Sequence, residues 1–269
     1  GVQTCALPIW KALMPPLASA IGWVLLGTPG PGVLNTTATA VLGWVGIDAG
    51  QEGPINIFSW PGIVFLFSVN LLPHVYLVVS AALGNLDPAL EEAARMNGSG
   101  PLRTLMTVTM PAIKPAVISG AMLALAAGFA LFSVPFLIGT PAGIDNLTAR
   151  IVHMTANVYP PALDEAMVLG LIVVFFIGSS WLIQRRANKL SRHSTIPGKT
   201  SSPSRIDLGL IKWPARLVMI GYICSAIVLP AIALVFVSLQ SYWSGKFDLD
   251  TLSLDHYRQL FAPSSNLPD

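Results

Sequence analysis

The sequence predicts an all-α, polytopic membrane protein with about five transmembrane helices. Hydrophobic residues make up 53% of the 269 residues, charged residues make up 10%, and the mean hydropathy is +0.66. A soluble domain carries about 25% charged residues. Apolar runs approach or exceed the roughly 20 residues that a bilayer-spanning helix needs. This composition therefore places the chain in a membrane.

The predicted spans differ in strength. Three long runs contain no charged residue, and a fourth is shorter but also free of charge. The weakest run begins directly after Lys11 and is interrupted by Pro15 and Pro16. In chain order the predicted spans are 12–27, 57–83, 115–138, 166–183 and 217–239.

Lys and Arg accumulate in cytoplasmic loops, so their placement predicts the orientation. The insert 86–111 holds Arg95 and Arg103, and eight further basic residues lie between 185 and 216. We expect both segments to face the cytoplasm and the loops 28–56 and 139–165 to face outside. Tryptophans near predicted span ends fit the headgroup region. They are Trp60, Trp181, Trp213 and Trp243.

The polar insert 86–111 is predicted to fold as a helix, a tight turn and a second short helix. Asp87 is suited to cap the first helix, with Pro88 at its first position, and that helix is expected to end near Met96. The sequence NGSG, residues 97–100, supplies turn residues, and Pro101 is suited to open the second helix.

The insert resembles the EAA loop of importer-type ABC transporter permeases. The family pattern is Glu-Ala-Ala, three residues, Gly, nine residues, then Ile-x-Leu-Pro. This chain has Glu92-Ala93-Ala94, Gly98 after three residues, and VTMP after nine more. Val108 and Met110 replace the Ile and Leu, whereas the glycine and Pro111 are kept.

The resemblance implies that the loop is a coupling helix that docks into a cleft of a separate ATPase subunit. Glu92 would make polar contacts, Ala93 and Ala94 would allow close packing, and Gly98 would make the turn that leads toward Pro111. ATP would be used by the partner ATPase dimer, so no cofactor is expected in this chain. The alternative is an amphipathic helix lying on the headgroups, but the acidic pair Glu91 and Glu92 disfavours binding to an anionic leaflet.

The resemblance also implies a substrate-binding protein that delivers cargo to the outer face, and a location in the bacterial inner membrane. The predicted partners are therefore that protein, the ATPase dimer and the lipid bilayer. We expect no nucleic-acid partner, although the net charge of +2 does not decide this.

Three other segments resemble parts of fused, two-half iron(III)-type permeases. They are residues 17–35, 195–215 and 247–261. On that basis residues 10–184 are expected to be the C-terminal part of a first half, 185–213 a cytoplasmic connector and 214–269 the start of a second half. The chain is expected to be truncated at both ends. Residues 1–9, GVQTCALPI, resemble the translation of a sequencing adapter; the alternative is an ordinary N-terminal tail.

Polar residues inside the spans are few. None of the 13 acidic residues falls within a predicted span, which disfavours ion-coupled transport and favours energy from a partner. Asn70 and His74 lie four residues apart on one helix face and either line a translocation path or make interhelical hydrogen bonds. Gly120, Ala124 and Gly128 form a small-residue face that is expected to be a packing seam.

An enzymatic function finds little support, because the four histidines are scattered and form no paired metal motif. The favoured function is an ABC importer permease whose cargo is iron(III). Polyamine, phosphonate or thiamine cargo remains open. Two functions of another class are also open: an ion-coupled secondary transporter and a membrane scaffold that does not transport.

Overall fold

The protein is built from eight α-helices in the residues that its structure, a computed structural model, describes. Those residues are 14–48, 50–191, 212–240, 253, 254, 257 and 258, with side chains described up to Arg186 in the seventh helix. In chain order the helices are α1 (Pro16–Gly27), α2 (Val33–Trp44), α3 (Trp60–Gly84), α4 (Pro88–Met96), α5 (Pro101–Ala130), α6 (Leu147–Val152), α7 (Leu163–Ser191) and α8 (Lys212–Ser238).

Four of these helices are long and apolar enough to cross a membrane. They are α3, α5, the Leu163–Arg186 part of α7, and α8, with lengths of 25, 30, 24 and 27 residues. The predicted polytopic, all-α architecture is confirmed. The number of spans is corrected for the described residues: the run predicted at 12–27 appears there as α1, an apolar helix of only 12 residues that starts at Pro16. At about 1.5 Å per residue, such a helix is too short to cross the hydrocarbon core.

The boundaries of the third predicted span were wrong. That span was placed at 115–138, but α5 begins at Pro101 and ends at Ala130, and Leu131 is extended with ψ of 99°. A helix that continued through Pro135 would lack the amide that bonds the Leu131 carbonyl. The apolar run therefore continues as a separate π turn, Pro135–Gly139. Hydropathy located the apolar residues and missed the break between them.

The chain forms two compact units. Among the described residues, the first consists of 67–132, 146–191 and 212–220, and the second of 14–48, 50–66, 133–145 and 221–240. In the first unit α5 packs against α7, where Phe129 stacks on Phe176 with ring centroids 5.4 Å apart and the Ser180 hydroxyl donates to the Met122 carbonyl at 3.3 Å.

The small-residue face of α5 packs closely against α3. A Cβ atom added at Gly120 would lie 3.3 Å from the Cα of Val75, and one added at Gly128 would lie 3.2 Å from a methyl carbon of Leu71. The predicted packing seam is therefore present at both glycines.

In the second unit α1 packs against the C-terminal part of α8. A Cβ atom at Gly22 would come within 2.6 Å of Pro230, so the two backbones approach as closely as a glycine allows. The indole Nε1 of Trp23 donates to the Ser225 carbonyl at 3.0 Å. Trp23 also meets Phe65 edge to face, with ring centroids 4.7 Å apart. These contacts hold the short helix α1 without requiring it to span the bilayer.

The loop between α1 and α3 is held together by one buried asparagine. The amide nitrogen of Asn35 donates to the carbonyls of Thr28 and Ile55, at 2.9 and 2.6 Å, and its Oδ1 accepts from the amide of Ile55 at 2.8 Å. Asn35 is fully buried, and these bonds satisfy its amide. The loop is therefore ordered around a side chain that the sequence analysis did not single out.

Several predicted features lie outside the described residues. They include the adapter-like segment 1–9, residues 192–211 of the predicted connector 185–213, and Trp243. The boundaries 10–184 and 214–269 stay predictions.

Candidate coupling site

Helix α4 begins as its sequence predicts. The Asp87 side chain accepts a hydrogen bond from the Ala89 amide at 3.0 Å, and Pro88 occupies the first helical position, where its missing N–H costs nothing. Glu91 lies in the first turn, near the positive end of the helix dipole. The helix ends at Met96, the predicted residue.

The turn after α4 depends on Gly98. Its φ is +76°, in the left-handed region that glycine adopts at little cost. The Gly98 amide donates to the Arg95 carbonyl at 2.9 Å, and the Ser99 amide donates to the Ala94 carbonyl at 3.1 Å. These bonds satisfy carbonyls at the end of α4 and reverse the chain.

The second helix of the predicted insert is not short. Pro101 does open a helix, but that helix runs through a π turn at Leu105–Thr109 and continues to Ala130 as the membrane span α5. Pro111 lies two residues after the end of this turn and is exposed. A proline is tolerated there because the π turn already interrupts the regular α-helical bonding. As a result, only four residues, 97–100, join α4 to a helix that is long and apolar enough to cross a membrane.

The two faces of α4 have different surroundings. Glu92 and Ala93 are exposed, as is Met96, whose side chain is 90% accessible. Glu91 and Ala94 are half-buried on the other face. The exposed face thus offers a carboxylate beside a small side chain, which lets another surface approach closely.

A contact that the sequence analysis missed fixes the inner face of α4. The Thr109 hydroxyl donates to Oε1 of Glu91 at 2.8 Å, and Thr109 is only 4% exposed. The two residues are 18 apart in sequence. No helical periodicity connects positions on two different helices, so only the fold brings them together.

The predicted pathway residues lie on another helix. Asn70 and His74 occupy α3, four residues apart, on either side of the fully buried Pro73. Asn70 is 8% exposed and His74 is half-buried, with a buried Nδ1 that has no hydrogen-bond partner in the described part of the chain. The residues predicted to couple to an ATPase lie on α4, in the turn after it and near the start of α5, whereas this pair lies within a candidate span.

No metal-binding cluster is found in residues 14–48, 50–186 and 212–240, where His, Cys, Asp and Glu do not come together in groups of three or more. The expectation that this chain holds no cofactor stays a prediction.

Known proteins similar to this chain include members of a family of transport permeases. Residues 12–189 match the family model described as binding-protein-dependent transport system inner membrane component. The chain is 27% identical to the molybdenum transport system permease protein ModB of Haemophilus influenzae over 157 residues, which cover 55% of this chain and 64% of the relative. It is 25% identical to the spermidine/putrescine transport system permease protein PotB of Salmonella typhimurium, with 55% and 53% covered.

A solved structure shares the fold. It is the structure of a bacterial ABC transporter involved in the import of the acidic polysaccharide alginate, with a TM-score of 0.51 and 21% identity. The match covers 69% of this chain and 63% of that one.

The aligned part of the chain spans between about half and two thirds of the length of these curated relatives. The relatives are transport permeases rather than enzymes. The resemblance to ABC importer permeases is confirmed, and the iron(III) type stays a prediction. The match over residues 12–189 is the strongest of these findings, and by it the chain belongs to the binding-protein-dependent transport system inner membrane components.

Proposed function

We propose that the chain is part of the permease subunit of a bacterial ABC importer in the inner membrane, and that α4 couples it to a separate ATPase subunit. One observation carries this proposal: an exposed helix bearing Glu92 and Ala93 is joined by a four-residue turn to the membrane span α5. Movement of α4 is thereby transmitted to a helix that lines or supports the translocation path.

In this mechanism the residues of α4, of the turn after it and of the start of α5 have separate roles. Glu92 makes polar contacts with the ATPase, and Ala93 lets the two surfaces approach closely. Gly98 permits the turn that returns the chain to α5, and Pro111 follows the π turn within that helix. ATP binding draws two ATPase subunits together, and the coupling helices carry that movement to the spans. The spans then open alternately to the two sides of the membrane.

The composition of the spans supports an external source of energy. Between residues 60 and 84, and from 115 to 130, no residue is charged, and the acidic residues of α7 lie in its first turn. Secondary transporters usually need an intramembrane carboxylate to bind the coupling ion. With none within the described spans, the driving force is assigned to the partner ATPase.

The identity of the cargo is argued from resemblances alone. Iron(III) is favoured by the resemblance of the connector to iron(III)-type permeases, whereas the names of two relatives favour molybdenum and polyamine cargo. A substrate-binding protein would deliver any of them to the outer loops. Asn70 and His74 are the proposed pathway residues, because both are polar and sit in the middle of α3.

An uptake experiment tests the proposal. Sequencing the source locus identifies the neighbouring ATPase and binding-protein genes, and the full operon is expressed in a host that lacks the corresponding importers. Radiolabelled ferric citrate, molybdate and spermidine are then supplied. We expect Glu92→Lys and Gly98→Pro to reach the membrane at normal levels and to lose at least about tenfold in uptake rate, because each removes an element of docking.

The control for the charge reversal is Arg186→Glu, at an exposed position near the C-terminal end of α7, which is also expected to face the cytoplasm. We expect it to transport at the wild-type rate. Normal uptake in both Glu92→Lys and Gly98→Pro would refute coupling through α4. Uptake that depends on an ion gradient and persists without the ATPase gene would favour a secondary transporter instead.

A further inference from the structure

We propose that Glu91 and Thr109 form a tie that makes α4 and the start of α5 move as one body. The tie is the hydrogen bond from the Thr109 hydroxyl to the Glu91 carboxylate, 2.8 Å long. Its role rests on the proposed function, since it matters only if an ATPase subunit pushes on α4. Glu91 and Thr109 act here as positioning residues and need not touch the ATPase.

Without this bond, the backbone turn that connects the two helices would restrain their relative orientation only weakly. It consists of residues 97–100, which include Gly98 and Gly100, and a Cβ atom added at either glycine would meet nothing within 4 Å. Glycine adds backbone freedom, and no neighbouring group restrains either glycine of this turn. Glu91 lies six residues before this turn, about 9 Å along the helix axis. The bond therefore joins α4 to α5 at a point well away from the flexible turn.

The π turn explains why Thr109 reaches Glu91. In a regular α-helix, residues five apart point about 140° away from each other, since each residue turns by about 100°. Between Leu105 and Thr109 the helix widens, and the Met110 amide donates to the Leu105 carbonyl, five residues earlier. This widening brings Thr104 and Thr109 toward one side. Both are nearly fully buried, at 2% and 4% exposure.

The inner face of α4 meets that buried side. Glu91 is half-buried although it is a charged residue, and α4 contacts the π turn directly. A hydrogen bond to a charged group is worth more than one between neutral groups, and more still where water is partly excluded. The π turn thus orients the Thr109 hydroxyl toward α4 near the start of α5.

The chain offers a matched control for removing the hydroxyl. Thr107 lies in the same π turn, is exposed, and donates its hydroxyl to the Arg103 carbonyl of its own helix at 2.7 Å. Thr107→Val and Thr109→Val make the same chemical change two residues apart. Only the second breaks a bond between the two helices. Glu91→Gln keeps an acceptor oxygen, whereas Glu91→Ala removes it.

Hydrogen exchange tests whether the tie holds α4. The full-length permease is purified with its ATPase subunit in lipid nanodiscs, and exchange of the α4 amides is measured. We expect Thr109→Val and Glu91→Ala each to raise the exchange rate about tenfold, and the double variant to be no faster than either single one. Thr107→Val is expected to stay within about twofold of wild type, and Glu91→Gln, which keeps a neutral acceptor, is expected to exchange faster than wild type and more slowly than Glu91→Ala.

A labelling assay tests whether the tie transmits movement. In a cysteine-free background of the full-length permease, which includes Cys224→Ala, the substitution Ala130→Cys places a thiol at the far end of α5. We expect trapping of the ATPase with ATP and vanadate to change the rate of maleimide labelling at least threefold in wild type. Thr109→Val should abolish most of that change while the ATPase still traps nucleotide, and Thr107→Val should preserve it.

The failures of the two proposals can be told apart. If Thr109→Val loosens α4 in the exchange experiment but keeps the full labelling change, or leaves exchange unaltered, the tie is refuted and coupling through α4 stands. If the ATPase does not copurify, or labelling of the Ala130→Cys thiol ignores ATP in the otherwise wild-type complex, the proposed function fails and the tie fails with it.

Discussion

Gly98 and Gly100 lie two residues apart in one turn, and their backbones make different demands. Gly98 has φ of +76°, whereas Gly100 is extended with φ of −67°, and neither position has a neighbour within 4 Å of an added Cβ atom. A substitution at the two sites therefore differs in backbone strain and not in crowding.

We expect Gly98→Ala to destabilise the α4 turn by about 1 kcal/mol, because an L-residue in left-handed conformation costs about 1–2 kcal/mol. Gly100→Ala should be neutral or slightly stabilising. Hydrogen exchange of the α4 amides measures both effects. Equal protection in the two variants would show that the turn does not depend on the left-handed residue.

Gly53 and Gly50 form a second matched pair, in the loop that Asn35 orders. Both have positive φ, at +74° and +71°, but only a Cβ at Gly53 would meet a neighbour, lying 2.6 Å from Oδ1 of Asn35. We expect Gly53→Ala to cost about 2 kcal/mol more than Gly50→Ala, because it adds a clash with a buried hydrogen-bonded side chain to the same strain.

The melting temperature of the detergent-solubilised protein reports this difference. A lower Tm for Gly53→Ala than for Gly50→Ala is the expected result. If both variants melt together, the Asn35 cluster does not limit the stability of the second unit.

Sequence alone anticipated the start of α4 and the turn that follows it, because the signals for both are local. Asp87, Pro88 and Gly98 act on neighbours within four residues, so capping and turn preferences suffice to place them. The Glu91 to Thr109 bond could not be found in this way. It depends on a π turn, and that turn leaves no mark in hydropathy or capping patterns.

At the scale of helices, the close contact between α3 and α5 rests on small residues. We expect Gly120→Val to destabilise the first unit by about 2 kcal/mol, because its Cβ would lie 3.3 Å from the backbone of Val75, which cannot rotate away. Gly178→Val is the control, since Gly178 lies inside α7 with nothing within 4 Å of an added Cβ.

The rate of hydrogen exchange of the α3 and α5 amides, measured as the temperature is raised, distinguishes the two variants. Faster exchange confined to Gly120→Val is expected. Unchanged protection in that variant would mean that the helices can separate without cost, and that the glycine face is not a packing seam.

Helix existence was easier to anticipate than helix boundaries. α3 coincides closely with the apolar run at 57–83, although Pro73 lies inside it, and α7 contains the run at 166–183 and extends past it at both ends. α5 differs at both ends. The charged residues Arg103 and Lys114 separated its first turns, predicted as a short helix, from the apolar run, although long basic side chains are able to extend from a helix end toward water.

At the scale of the molecule, orientation follows from basic residues and aromatic anchors. The guanidinium carbon of Arg185 lies 3.6 Å from the ring centroid of Trp181, and that of Arg216 lies 5.9 Å from Trp213. Both pairs sit at the ends of α7 and α8 that are expected to face the cytoplasm.

Thiol accessibility tests that orientation. Met96, at the end of α4, and Asn157, between α6 and α7, are both exposed. In intact spheroplasts a membrane-impermeant maleimide is expected to label Asn157→Cys and to label Met96→Cys only after the membrane is opened. Labelling of both from outside would overturn the topology and move α4 away from any cytoplasmic ATPase.

Site-specific photo-crosslinking shows whether an ATPase subunit docks on α4. A photo-reactive amino acid is incorporated at Ala93, on the exposed face of α4, and as a control at Ala121, an exposed position within α5. The full operon is expressed and intact membranes are irradiated. If α4 docks on the ATPase, we expect a covalent adduct between the permease and the ATPase subunit from position 93 and none from position 121. An ATPase that copurifies yet forms no adduct at position 93 would contradict docking on α4.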